Sequence, residues 1–466
     1  MIIEQLIANI KSVGIFAVVL SILIVVHEWG HYITAKRAGI GVERFSLGFG
    51  PKLFSKVFNG TEFLLCLIPL GGYVKMMGDE RSECTGDAKE FYSQPPGKRA
   101  LVILNGPFVN FIFAYLCLVC VFLLGYPGGS TKITKIEING PAHKAGLMVG
   151  DKIIEVDSTK VYGLNNLRTR LEGSTDKRIL ISVVRNEQKI DAYVEPTVTS
   201  EQNILGENRS VRDIGISLMP NKIGDVREDY PAYKAGLREG DKIIQIDSNM
   251  IFDWEDIYNS ILKSTGEIIQ VRFIRDEKEM TVEIGPKIEA MKNESGETVE
   301  RRIVGISPLG EFDSFRFGLV NSVRFAFEEL VFITVTTYKS IYYMITGAIS
   351  AKESVTGPVG IFYVIKEAAR MGLSHLLFIL GVISASLAIF NLLPVVPLDG
   401  GHLLFLGIEK VRGKPLSEKT DEIIAKVGFT LIIFLALFVF YSDFSRQGWI
   451  EGIQKIFGKM LSLFKF

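Results

Sequence analysis

The chain has 466 residues, 48% hydrophobic and 22% charged, with a mean hydropathy of +0.27. Lys plus Arg equals Asp plus Glu at 52 each, so no basic excess points to nucleic acid, and none is expected as a partner. Hydropathy this high beside this many charges excludes an ordinary soluble globule and reads as a membrane part joined to a sizeable soluble part. The first element is apolar: Ile15 to Val26 reads IFAVVLSILIVV without a charge, and a spanning helix is expected over roughly residues 12–34. This run could pass for a secretion signal, but no small-residue cleavage site follows, and cleavage would destroy the next motif.

That motif is His27-Glu28-Trp29-Gly30-His31. On a helix His27 and His31 share one face, where two imidazole nitrogens can hold one metal ion. Glu28 stands where a metalloprotease places the base that takes a proton from the attacking water. Such a cluster in lipid is costly and therefore reads as functional. The bland alternatives are a chance match, or two polar residues at a helix end bonded to headgroups.

The loop over 36–99 carries Lys36, Arg37, Arg44, Lys52, Lys56, Lys98 and Arg99, and residues 63–75 (FLLCLIPLGGYVK) are expected to form strands. A second span is expected over about 101–124. The four cysteines are Cys66, Cys84, Cys117 and Cys120, so the middle of the chain has no disulfide framework. That middle holds a repeat: PAHKAGLMVGDKIIEVD from Pro141 aligns with PAYKAGLREGDKIIQID from Pro231. Each copy predicts a short helix ending at glycine, a Gly-Asp turn and an alternating strand.

Segment 319–350 is apolar in bulk but broken by Arg324, Glu328, Glu329 and Lys339, which predicts an amphipathic helix at the interface or against the bundle. A third span is expected over about 372–393 and a fourth over about 427–442. Between them comes Asn391-Leu-Leu-Pro-Val-Val-Pro-Leu-Asp-Gly-Gly-His402, where Pro394 and Pro397 force the helix to unwind. Irregular backbone at that depth is tolerated only where it lines a cavity or is buried. Asp399 leaves this break, and a carboxylate beside two histidines makes the three-ligand, one-open-position set of a catalytic zinc. Asp399 capping the next helix is the plain alternative. Iron or cobalt suits the same donors. His143 is expected on the surface, His375 at the interface, and His402 behind the ligand Asp399. The loop after the third span holds Lys410, Arg412, Lys414 and Lys419; with the first basic loop on the cytoplasmic side, the middle region falls on the far side. Residues 450–466 predict an amphipathic tail.

Taken together, H-E-x-x-H in the first helix and N-x-x-P-x-x-x-x-D-G at Asn391, Pro394, Asp399 and Gly400 resemble the site-2 protease family of intramembrane zinc metalloproteases. Ser46–Gly50 and Leu70–Lys75 are similar to the family's re-entrant segment, and Asn105-Gly106-Pro107 with Asn110 to its second-helix motif. The repeat resembles the core of bacterial PDZ domains, which bind extended peptides by strand addition. Ile214-Gly215-Ile216 looks like the carboxylate-receiving loop of the second copy, and with only Leu124-Gly125-Tyr126 the first copy's loop is expected to be degenerate or displaced.

The expected fold is a polytopic α-helical membrane protein of about four spans, with a membrane-associated β-hairpin loop and two inserted α+β PDZ domains. Expected boundaries are 1–124, 125–205 (first PDZ), 206–310 (second PDZ), 311–371, 372–444 and 445–466. The resemblance implies one zinc per chain held by His27, His31 and Asp399, Glu28 as base, and Asn391 holding substrate backbone, the oxyanion or the broken helix. Gly48, Gly50, Gly71 and Gly72, with Ile214, Gly215 and Ile216, are expected to meet substrate; for residues 63–75 a buried hairpin stays open. It implies an intramembrane endopeptidase of the bacterial inner membrane, multi-pass, with periplasmic PDZ domains. Its substrates would be single-pass proteins, such as an anti-sigma factor already trimmed by a site-1-type protease, or signal-peptide remnants. A membrane-anchored PDZ scaffold without catalysis is the rival reading, and the PDZ pair could equally act as a steric screen.

Overall fold

The computed structural model describes residues 2–81, 84–174, 176–202, 208–228, 230–292, 298–350 and 354–446, so the expected tail lies outside the described residues. The chain divides into two compact units, Met1–Tyr126 with Arg316–Phe466, and Pro127–Phe315.

In the first unit, α1 (Ile2–Arg37) ends with Lys36 and Arg37, cations that suit the negative end of its dipole. The hairpin of β1 (Val42–Phe58) and β2 (Thr61–Met76) follows. β1 bends so that Phe45 has partners on both sides, Val74 and Phe63, and this places Gly72–Met76 as an edge. Trp29, Tyr32, Phe45 and Phe63 meet mostly edge to face and fasten the hairpin to α1. α2 (Pro96–Leu124) starts on a proline, whose missing N–H costs nothing in a first turn, and stops at Gly125.

After the second unit come α3 (Leu319–Thr346), α4 (Pro358–Met371), α5 (Leu373–Asn391), α6 (Asp399–Arg412) and α7 (Glu418–Arg446). Among the described residues four helices are long and apolar enough to cross a membrane: Ile10–Arg37, Pro96–Leu124, Leu373–Asn391 and Lys419–Phe444. α3 is not one of them. It buries Ala326 and Ile333 against Ala114, Leu118 and Phe122 of α2 and Ala385 of α5, so it packs against the bundle.

The second unit shows why the repeat exists. Two four-stranded sheets have the same order: Thr159–Lys160, Lys152–Val156, Ile179–Arg185, Gln188–Val194, and Asn249–Met250, Lys242–Ile246, Ile269–Arg275, Lys278–Ile284. Each Gly-Asp turn is clamped by an arginine. Arg185 donates twice to Asp151 and once to the Gly146 carbonyl, as Arg275 does to Asp241 and Gly236. Burial pushes the Asp151 carboxyl up, and Arg185 with the Met148 N–H more than reverses this, holding it below its ordinary value.

One boundary differs from expectation. Ile216 pairs with Ile136, Ala142 N–H bonds the Ile214 carbonyl, and Ile214 is buried in the first module's core. Ile214-Gly215-Ile216 therefore closes the first module, which runs past residue 205 to about Leu218. The second module's counterpart is Val304-Gly305-Ile306, where Ala232 N–H bonds the Val304 carbonyl and Ile306 pairs with Val226. Each module thus takes its last strand from after its hairpins, and the first contains no part of Leu124-Gly125-Tyr126 in this role.

Candidate metal centre

The i, i+4 spacing on α1 puts His27 Nε2 and His31 Nε2 3.2 Å apart. The chain unwinds after Asn391, and α6 begins at Asp399, whose Oδ2 lies 3.3 Å from His27 Nε2 and 3.6 Å from His31 Nε2. Three donors at tetrahedral positions around zinc, each ~2.0–2.1 Å from it, would be about 3.3 Å apart. Asp399 Oδ2 is buried with no hydrogen-bond partner, as an atom aimed at a cation would be. These three are the one cluster of metal-binding type among the described residues. The donor set fits zinc.

The turn that delivers Asp399 is tight. A Cβ on Gly401 would fall 2.5 Å from Val396 N, so the two glycines let α6 fold back onto residues 392–396. α6 is also tied at its far end, where Glu409 accepts from the buried Arg99 at the start of α2. Asp399 sits in the first turn, where a carboxylate also suits the helix dipole. Its expected capping and ligand roles are compatible.

The Glu28 side chain turns toward the hairpin edge. A Cβ on Gly72 would lie 3.3 Å from Glu28 Cγ, 2.7 Å from Ile24 Cγ2 and 2.8 Å from the Ser46 carbonyl. Only glycine lets that strand approach the helix so closely. Gly48 and Gly50 have Ile68 as neighbour, and Gly71 has Phe49, so of the four hairpin glycines it is Gly72 that the fold brings to the motif. Asn391 ends α5 ahead of the break.

Sequence reasoning gave α2 no role in detail, yet it backs both histidines. His31 Nδ1 donates to the Val102 carbonyl at 2.9 Å, which leaves Nε2 with its lone pair free for metal. The Asn110 amide reaches His27 Nδ1 at 3.4 Å, and Ser384 of α5 donates to the Asn110 carbonyl at 2.9 Å. A main-chain acceptor such as Val102 has no sequence signature; Asn110 had one in the second-helix motif.

The model described as peptidase family M50 matches residues 15–435. The chain belongs to peptidase family M50. It is 31% identical over 450 residues to the regulator of sigma-E protease RseP of Escherichia coli K12, covering 92% of this chain and 98% of that one. The Salmonella typhimurium 14028s protein of the same description is 31% identical over 451 residues, covering 93% and 98%. A Neisseria meningitidis serogroup A protein named as a zinc metalloprotease is 32% identical over 447 residues, covering 93% and 98%. Among solved structures, the PDZ domain of an SdrC-like protein from Listeria monocytogenes covers 21% of this chain and 94% of its own, at 21% identity and a TM-score of 0.16. A score that low fixes no fold. As an M50 member the chain is a zinc metalloprotease of the inner membrane, acting in regulated intramembrane proteolysis. The catalytically silent scaffold is thereby set aside.

Proposed function

We propose that this protein cuts single-pass membrane proteins within their spanning segment, after a site-1-type protease has trimmed them, and that anti-sigma factors and signal-peptide remnants are its substrate classes. The observation that carries this reading is the His27, His31, Asp399 cluster with Glu28 beside a strand edge. A spanning helix hides its carbonyls in its own hydrogen bonds and must unwind before attack. The Gly72–Met76 edge suits an unwound segment, which it would hold by strand addition next to Glu28. Gly48, Gly50 and Gly71 shape the hairpin that presents this edge.

His27, His31 and Asp399 would hold the zinc, which when bound acidifies a water and polarises the peptide carbonyl. Glu28 takes the proton as the water oxygen bonds to the carbonyl carbon. It then gives that proton to the amine nitrogen as the C–N bond breaks. Asn391 stands at the break to bond substrate backbone or oxyanion. The test is cleavage of a tethered single-pass substrate with a short ectodomain. Cutting inside the membrane segment, abolished by a zinc chelator and restored by zinc, is expected; cutting that survives chelation would refute the reading.

The two repeat modules read as a periplasmic PDZ pair with different tasks. In the first, Glu137 N–H and Thr134 N–H bond the Gly215 and Ser217 carbonyls, so by the two-residue period Ile216 and Leu218 face the other edge. In the second, the Gly305 carbonyl accepts from Arg227 N–H and Leu309 N–H donates to the Lys222 carbonyl, so Ile306 and Pro308 face outward, and proline has no N–H to offer. The open edge for strand addition is therefore in the first module. Glu137 flanks Gly215 there, which favours an internal extended segment over a peptide carboxylate. A photo-crosslinking residue on that edge should capture an extended substrate segment, and Leu218→Pro should abolish capture. Equal capture at Pro308 would sink this division of labour.

A further inference from the structure

We propose that Asn110 and Gly106 on α2 are positioning residues for the metal centre: Asn110 fixes the tautomer of His27, and Gly106 leaves the space in which both histidines face the ion. The inference rests on the metalloprotease reading and concerns residues outside its ligand set. Val102, Gly106 and Asn110 are four apart in succession, so they form one stripe of α2, and each meets the histidines in a different way.

Val102 accepts the His31 Nδ1 proton. Asn110 is fully buried beside His27 Nδ1, and its Oδ1 has no donor. With Nε2 facing a metal, the His27 proton must sit on Nδ1. An amide turned with its oxygen toward that proton supplies the acceptor and satisfies Oδ1 in the same stroke. Both imidazoles are then locked as Nδ1–H tautomers by α2, one through main chain and one through side chain. The main-chain half cannot be lost by mutation of Val102, whereas the Asn110 half can.

Gly106 lies between them. A Cβ there would overlap His31 Nε2 and Cε1 and come within 2.9 Å of His27 Cε1. Those are donor-side atoms of both rings, so a single methyl group would push them out of register or take the ion's place. The same position is where the two helices come closest, a Cβ on Gly30 of α1 falling 3.0 Å from Gly106 Cα.

The experiment measures zinc affinity of the full-length detergent-solubilised protein by competition with a chromophoric chelator, with the visible absorption of the cobalt-substituted protein as a second readout. Asn110→Ala should weaken zinc binding about 10–100-fold and alter the cobalt bands. Asn110→Asp, which keeps an acceptor at the same place, should restore both. Gly106→Ala should lose the ion. If Gly106→Ala fails to fold, the Asn110 pair still decides. Zinc affinity in Asn110→Ala within threefold of wild type, with unchanged cobalt bands, would overturn the proposal. A wild-type protein that takes up neither zinc nor cobalt would instead overturn the metalloprotease reading beneath it.

Discussion

Replacing Glu28 by Gln stops cleavage and leaves zinc in place. The substitution keeps the shape of the side chain beside Gly72 and touches none of His27, His31 and Asp399, so the metal set stays whole. What it removes is a carboxylate able to accept a proton from water and return it to the leaving amine. A positioned general base contributes roughly 10²–10⁴-fold to such a reaction, or about 3–5 kcal/mol of the barrier. The expected result is therefore a rate loss of that size on a tethered single-pass substrate, with unchanged zinc content by atomic absorption. Loss of zinc in the same variant would mean that Glu28 belongs to the ligand shell. Retained activity would move the base elsewhere.

The site was legible in the sequence because its parts use local rules. Two histidines four apart on an uncharged helix must share a face, and the prolines at 394 and 397 must break a helix; both inferences need only near neighbours. That Asp399 closes the set is non-local, and the pairing of the two motifs with a known family carried it. The structure then put Asp399 Oδ2 within 3.6 Å of both rings. The four apolar helices were legible for the same reason, since hydropathy over one segment suffices.

What stayed hidden was pairing over distance. Ile214-Gly215-Ile216 lies close in sequence to the second copy of the repeat, yet its strand partner is 80 residues earlier at Ile136. Sequence proximity assigned it to the wrong module. Segment 319–350 showed a similar limit: its charges spoke against a span, but only packing shows Ala326 and Ile333 set against α2 and α5. The outer support of the histidines was legible only as a motif, Gly106 and Asn110 being marked by resemblance without a physical role. A carbonyl such as that of Val102 belongs to every residue type, and the need for glycine at 106 follows from an approach between helices that no local pattern encodes.

Replacing Asp399 by Ala separates a metal ligand from a helix-starting residue. As an acid in the first turn of α6, Asp399 would contribute only about 0.3–1 kcal/mol through the helix dipole. The Arg99–Glu409 pair would still hold the other end of that helix to α2. As a ligand, its loss leaves two imidazoles, and zinc affinity should fall by more than the ~10–100-fold typical of an outer-shell partner. Binding to the folded state stabilises by RT ln(1 + [L]/Kd), about 4 kcal/mol at a thousandfold excess over Kd. Thermal unfolding of wild type should therefore rise with added zinc. In Asp399→Ala that rise should vanish, with the zinc-free unfolding temperature close to that of zinc-free wild type. A variant equally destabilised with and without zinc would make Asp399 a structural residue of α6 and leave the third ligand unassigned.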